Sequence, residues 1–153
     1  REINAGMYCF KNRELFEYIK ELKPNNAQKE YYLTDMVKIL VSKGKTVNAS
    51  IIEDRDEVMG INDCVELNRA YKWMQHKINI DWMKNGVQIV DPERTVIGKD
   101  VKIGHDVIIH PNVEVLGNSV IEDFVEILPG SYLKNTTVKS GTTIDPNTVI
   151  IER

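Results

Sequence analysis

An aliphatic side chain recurs at every sixth position from Ile97 to Leu133: Ile97, Ile103, Ile109, Val115, Ile121, Ile127 and Leu133. Small or β-branched residues stand two places before most of them, at Val101, Val107, Val113, Ser119, Val125 and Ser131. This six-residue period is the signature of a left-handed parallel β-helix. Each short strand turns one aliphatic side chain inward. Stacking the turns pairs every backbone edge except those at the two ends.

Gly98, Gly104, Gly117, Gly130 and Gly141, with Asn112, Asn118, Asn135 and Asn147, fall near the corners between strands, where the chain needs residues that tolerate unusual backbone angles. After Leu133 the register steps by five and resumes at Val138, Ile144 and Ile150, which predicts one tightened corner. Similarity to hexapeptide-repeat proteins implies about three strands per turn. Residues 96 to 151 would then make about three coils, a stack of roughly 15 Å. A prism this short leaves open ends and partly apolar faces that favour oligomerisation.

The chain has 153 residues, of which 42% are hydrophobic, enough for one core or two small ones. A formal charge of −3 from 20 basic and 23 acidic residues offers no electrostatic case for binding nucleic acid or a membrane surface. Cys9 and Cys64 suit neither a disulfide framework nor a zinc site and read as reduced thiols. No apolar run approaches a membrane span, and Arg1 and Glu2 do not open a signal peptide, so the expected location is cytoplasmic. The first residue is not Met, which hints at a piece of something longer.

Ahead of the repeat the period becomes helical, with the change near Asn85 and Gly86. Residues 3 to 10 read as a strand, and Asn12 as the cap of a helix with Leu15, Phe16, Ile19 and Leu22 on one face, ending before Pro24. Thr34 can cap a second helix carrying Val37, Ile39, Leu40 and Val41 and stopping at Gly44. A β-rich segment is expected from Thr46 to Ile52. Asp63, with Glu66 three residues on, opens a long helix through Trp73 to about Lys84.

Four segments add a family to this outline: E-I-N-A-G at Glu2 to Gly6, N-A-Q-K-E-Y-Y-L-T-D at Asn26 to Asp35, G-I-N-D at Gly60 to Asp63, and N-G-V-x-I-x-D-P at Asn85 to Pro92. In order and spacing the chain resembles the bifunctional N-acetylglucosamine-1-phosphate uridyltransferases and glucosamine-1-phosphate acetyltransferases along essentially its whole length. The resemblance implies an α/β class: residues 1–62 as the C-terminal part of a Rossmann-like sugar nucleotidyltransferase domain, 63–86 as a linker helix and 87–153 as a β-helix. It implies UTP and N-acetylglucosamine 1-phosphate as substrates, UDP-N-acetylglucosamine as product, Mg2+ as cofactor and a homotrimer formed through the β-helix. The family's Gly-rich nucleotide loop would lie before Arg1 and its acetyltransferase residues after Arg153, so neither active site is complete within these residues.

The same resemblance assigns roles. Asn62 of G-I-N-D matches a metal-ligating Asn, and Asn4 of E-I-N-A-G a sugar-contacting one, with Gly6 allowing close approach of substrate. Tyr32 and Thr34 match positions lining the sugar site. Lys29 stands where the family has Gly. The residues themselves admit plainer readings: Asn62 or Asp63 as a helix cap, Asn4 and Gly6 as a turn, Tyr32 as core and Thr34 as a cap. His105 and His110 read as exposed turn residues and His76 as solvated. Trp73, Met74, Trp82 and Met83 read as helix packing, and Glu53, Asp54, Asp56 and Glu57 as a solvated charge run. Two other functions remain open: a non-catalytic trimerisation module, and an acyltransferase using coenzyme A.

Overall fold

The six-residue columns close into a parallel β-helix. The computed structural model describes residues 4–152, and among these all eleven strands pair in parallel. One sheet stacks β1 (Gln88–Ile89), β4 (Ile108–Ile109), β7 (Glu126–Ile127) and β10 (Thr143–Ile144). A second stacks β2 (Val96–Ile97), β5 (Glu114–Leu116), β8 (Tyr132–Lys134) and β11 (Val149–Ile151). The third stacks β3 (Lys102–Ile103), β6 (Val120–Ile121) and β9 (Thr137–Val138). The solenoid therefore runs nearly four turns, against an expected three. It begins one strand before the strict period, at β1, whose loop to β2 is two residues longer than the later corners.

The inward columns are dry. Ile97, Ile109, Val115, Ile127 and Leu133 have no exposed surface, and Val107, Val113 and Val125 fill the space beside them. Each such side chain contributes about 1.5–3 kcal/mol relative to exposure. Ile103 is only half-buried. The tightened corner lies where the register predicts it: Val115 pairs with Leu133 and Ile121 with Val138, one residue short of the regular turn. Asn112, Asn135 and Asn147 take the left-handed conformation, and so do Asp106 and Phe124, at φ 55° and 58°.

Helix α3 (Cys64–Lys84) begins as Asp63 and Glu66 foretell: the Asp63 carboxylate accepts the Glu66 N–H at 2.7 Å. Ile78 and Trp82 pack on the β-helix core and Asn79 is fully buried, while Met74 and Met83 stay exposed. Trp73 is half-buried beneath the Lys77 ammonium, 4.9 Å from its ring centroid. Gly86, at φ 93°, turns the chain into β1.

The chain packs as two units that divide between Val58 and Met59. In the first, α1 (Asn12–Tyr18) runs into a 3-10 turn at Ile19–Glu21, and α2 (Asp35–Ser42) follows. Lys11, not Asn12, is the residue preceding α1, and no side chain caps it. Thr34 precedes α2 but makes no capping hydrogen bond. The buried face of α2 is Met36 and Leu40, with Val37 and Val41 exposed, because positions four apart share a helix face. Gly44, at φ 69°, ends it as expected. Ile3 lies outside the described residues. Neither 4–10 nor 46–52 forms a strand, since an extended segment with no neighbour to pair with has no ladder to hold it. The α/β character expected of this half is accordingly not seen among the described residues.

Candidate functional site

Asn4 and Gly6 form a turn. The Asn4 Oδ1 accepts the Gly6 N–H at 2.9 Å, its Nδ2 donates to the Tyr8 hydroxyl at 2.5 Å, and the turn is exposed. Gly6 has φ 75°, and a Cβ there would meet nothing within 4 Å, so the backbone at this point is open to a ligand on its glycine face. Tyr32 and Thr34 lie in the loop entering α2, and both are exposed. The Tyr32 hydroxyl donates to Gln28 Oε1 at 3.2 Å. The loop is folded by Asn26, whose Oδ1 accepts the Glu30 N–H at 3.0 Å while its Nδ2 donates to the Glu30 carbonyl. Lys29 sits inside this loop at φ 55°, a conformation in which glycine pays no steric cost.

Among the described residues no hydrogen bond or ring contact links the Asn4 turn to Tyr32 or Thr34. The plain reading of Tyr32 as core is not met, because the ring is exposed.

Asn62 belongs to the second unit. Its N–H and its Nδ2 both donate to Glu66 Oε2, at 2.7 and 3.1 Å. These two bonds, the backbone one first, hold the Glu66 carboxyl below the usual carboxylate range. The cap of α3 falls to Asp63, so capping leaves the Asn62 Oδ1 without a protein donor among the described residues. A neutral amide oxygen is a sound hard ligand for a divalent cation. It is one ligand only: among the described residues no group of three or more His, Cys, Asp or Glu could hold a metal ion. These residues do not fit a complete Mg2+ site by themselves.

The β-helix adds features that its periodicity did not show. The His105 ring lies between Asp106 and Asp123, at 2.8 and 3.0 Å, with Phe124 edge-on at 4.9 Å between ring centroids. His105 is exposed as expected. His110 is not a turn residue of that kind: it is half-buried beside β4, and its Nε2 lies 2.9 Å from Glu126 Oε1. The two histidines thus have separate partners. A shallow groove of about 330 Å³ crosses β3 and β6 between Lys102, Gly104, Glu122 and Ser140. Glu122 there accepts from Lys139 at 2.9 Å and from the Ser140 N–H at 3.0 Å. The lysine bond first, then the serine one, lowers its carboxyl below the ordinary range. His76 is exposed, and Glu53, Asp54 and Asp56 form an exposed run.

Sequence comparison points to a family. The chain is 45% identical over 148 residues to the bifunctional protein GlmU of Latilactobacillus sakei, a match covering 97% of the chain and 32% of the relative. With GlmU of Acetivibrio thermocellus the identity is 44% over 152 residues, 99% of the chain and 33% of the relative. Along nearly its whole length the chain is similar to proteins of the GlmU family. It spans about a third of the length of these curated relatives. GlmU of Shouchella clausii matches similarly, 43% identical over 140 residues. No family model matches the chain. Among the described residues no helix is long and apolar enough to cross a membrane.

Proposed function

We propose that these residues serve uridyl transfer from UTP to N-acetylglucosamine 1-phosphate, as the closing part of a Rossmann-like nucleotidyltransferase domain joined by α3 to a left-handed β-helix. The observation that carries this reading is the match to GlmU proteins over nearly the whole chain, front unit included. In the reaction a phosphate oxygen of the sugar phosphate forms a bond to the α-phosphorus of UTP. The bond from that phosphorus to the bridging oxygen breaks, and pyrophosphate leaves with the electron pair. Such chemistry rests on positioning and on neutralising charge at phosphate oxygens.

Within it, Asn4 would hold the sugar through its amide, with Gly6 leaving room for the ring, and Tyr32 and Thr34 would offer their hydroxyls. The open glycine face of the turn and the exposed hydroxyls support these roles. Asn62 would give one neutral oxygen to Mg2+, which when bound supplies charge neutralisation at the phosphates. Its unengaged Oδ1 supports that role. Neither the nucleotide loop nor acetyl transfer is assigned to residues of this chain. A cytoplasmic location and a homotrimer through the β-helix go with the same reading.

A chimera tests it. This segment replaces the matching segment of a full-length GlmU, and magnesium-dependent formation of UDP-N-acetylglucosamine is followed. Turnover should survive the exchange and fall about tenfold or more with Asn62→Ala. Unchanged turnover in that variant would remove the metal role. One observation favours a second reading, as an assembly module: the β-helix has a continuous buried core, whereas the front unit leaves Phe16, Tyr31, Val41 and Ile51 exposed. Sedimentation of the 153-residue chain as a monomer would count against it.

A further inference from the structure

Asn85–Gly86 is the one Asn-Gly pair in the chain, and it stands where α3 turns into β1. An asparagine followed by glycine can react with itself. The glycine nitrogen forms a bond to the asparagine Cγ and gives up its proton, the bond from Cγ to Nδ2 breaks, and ammonia leaves with the electron pair and that proton. Water then opens the five-membered imide at either carbonyl. The product is aspartate, or isoaspartate with the main chain rerouted through the former side chain. Glycine suits the step because no Cβ crowds its nitrogen. The step also needs that nitrogen free and the Cγ swung over it.

The fold holds the two groups apart. Asn85 Nδ2 donates to Asp81 O at 2.8 Å, which folds the amide back along the helix. Gly86 N donates to Met83 O at 3.2 Å and Val87 N to Trp82 O at 3.1 Å, bonds that close the last turn. The space around the pair is open: both residues are exposed, and a Cβ on Gly86 would meet nothing within 4 Å. The grip of the β-helix on α3 also stops short of it. Gln75 Nε2 donates to Ile97 O at 3.3 Å, Asn79 Nδ2 donates to Thr95 O at 2.8 Å and to Pro92 O at 2.7 Å, and Trp82 packs on the core. Between Trp82 and the buried Val87, residues 83–86 are exposed and rest on the bonds of the helix and its cap.

We propose that Asn85–Gly86 is a site of spontaneous backbone modification, closed while the last turn of α3 is formed and opened when that turn frays. The product cannot rebuild the cap. A carboxylate at residue 85 has no proton to donate to Asp81 O, and it puts negative charge at the C-terminal end of α3, where the helix dipole disfavours it. Isoaspartate also lengthens the main chain by one carbon ahead of Val87, whose N–H must reach Trp82 O. A single event therefore loosens the junction between the helix and the β-helix.

The test incubates the 153-residue chain in mildly alkaline buffer beside a peptide of residues 81–90 as the unfolded reference, and follows conversion at Asn85 by peptide mass mapping. The folded chain should convert about tenfold or more slowly than the peptide. Trp82→Ala, which removes the anchor of the last turn, should speed conversion at Asn85 about threefold or more while Asn118, which precedes Ser119 in the β-helix, keeps its rate. Trp82→Phe serves if Trp82→Ala loses the circular dichroism of the parent. Asn85→Asp, a product itself, should speed amide hydrogen exchange at Gly86 and Val87 about tenfold. Equal rates in chain and peptide overturn the proposal, as do an unchanged rate at Asn85 in the folded Trp82 variant, a rise at Asn118 to match, or unchanged exchange in Asn85→Asp.

Discussion

Lys29, at φ 55°, holds a left-handed conformation inside a loop already closed by Asn26. For a residue with a Cβ that conformation costs about 1–2 kcal/mol, whereas glycine costs about 0.5–1 kcal/mol through the greater freedom of its unfolded chain. The difference predicts that Lys29→Gly stabilises the first unit by up to about 1 kcal/mol, read from the midpoint of urea denaturation. A fall in the midpoint would mean that the lysine side chain holds the loop by other means. The resemblance to GlmU, in which this position is Gly, flagged the residue from sequence; only the backbone angle gives the reason.

Glu66 carries the other prediction at this scale. Its carboxyl accepts from the Asn62 N–H and Nδ2, which hold it below the ordinary carboxylate range. A group whose folded pKa is depressed stabilises the fold above its unfolded value and loses that contribution as pH falls through the folded one. The Asn62–Glu66 contact should therefore persist through neutral and mildly acidic pH and release only below the usual glutamate range. NMR titration of the Glu66 carboxyl should show this low midpoint, moving part of the way back up in Asn62→Ala because the backbone bond survives. An ordinary midpoint in the parent chain would contradict the arrangement.

Among the elements, the corners of the β-helix set what the sequence can and cannot reveal. A Cβ on Gly98 would lie 3.4 Å from the nearest atom, an ordinary contact. On Gly104 it would fall 2.1 Å from the Asp123 Oδ1 and 2.9 Å from the Asp123 backbone nitrogen. That carboxylate also accepts the His105 N–H at 3.0 Å. Gly104→Ala should therefore cost about 1–3 kcal/mol, with Gly98→Ala near neutral, a contrast that thermal melts of the two variants would resolve. Both glycines look alike in the repeat, because periodicity records the inward column and not the packing of one corner on the next. Asp106 and Phe124 escaped notice for the same reason: their left-handed backbones follow from the stack, not from their own preferences. Helix α3 was legible at its start, since the Asp63 cap is local chemistry. Its docking through Gln75 and Asn79 was not, since two amides amid charged residues read as solvated surface. The front unit was legible least, because strands are specified jointly with their neighbours, and the candidate residues Asn4, Tyr32 and Thr34 were found by family likeness alone.

At the scale of the whole molecule, a stack in which each turn touches only its neighbours should respond to truncation according to position. Ile109 and Ile127 lie in middle turns with no exposed surface and with a strand paired on either side. Ile144 keeps 8% of its surface exposed, and β10 is the last strand of its sheet among the described residues. Removing the side chain from a middle turn leaves a cavity that the strands above and below cannot collapse into without giving up their ladders, so Ile127→Ala should cost about 2–5 kcal/mol. Ile144→Ala acts at a position already partly open to solvent, so water can enter the gap, and its cost should fall toward the lower bound. The form of the transition matters as much as its midpoint. If turns couple strongly, Ile127→Ala shifts a single cooperative unfolding curve; if coupling between turns is weak, the curve splits, with the turns on either side of the lesion melting separately. Circular dichroism of both variants in urea, read for midpoint and slope, decides between these outcomes. Equal costs at the two positions would show that the solenoid unfolds as one body regardless of where its column is broken.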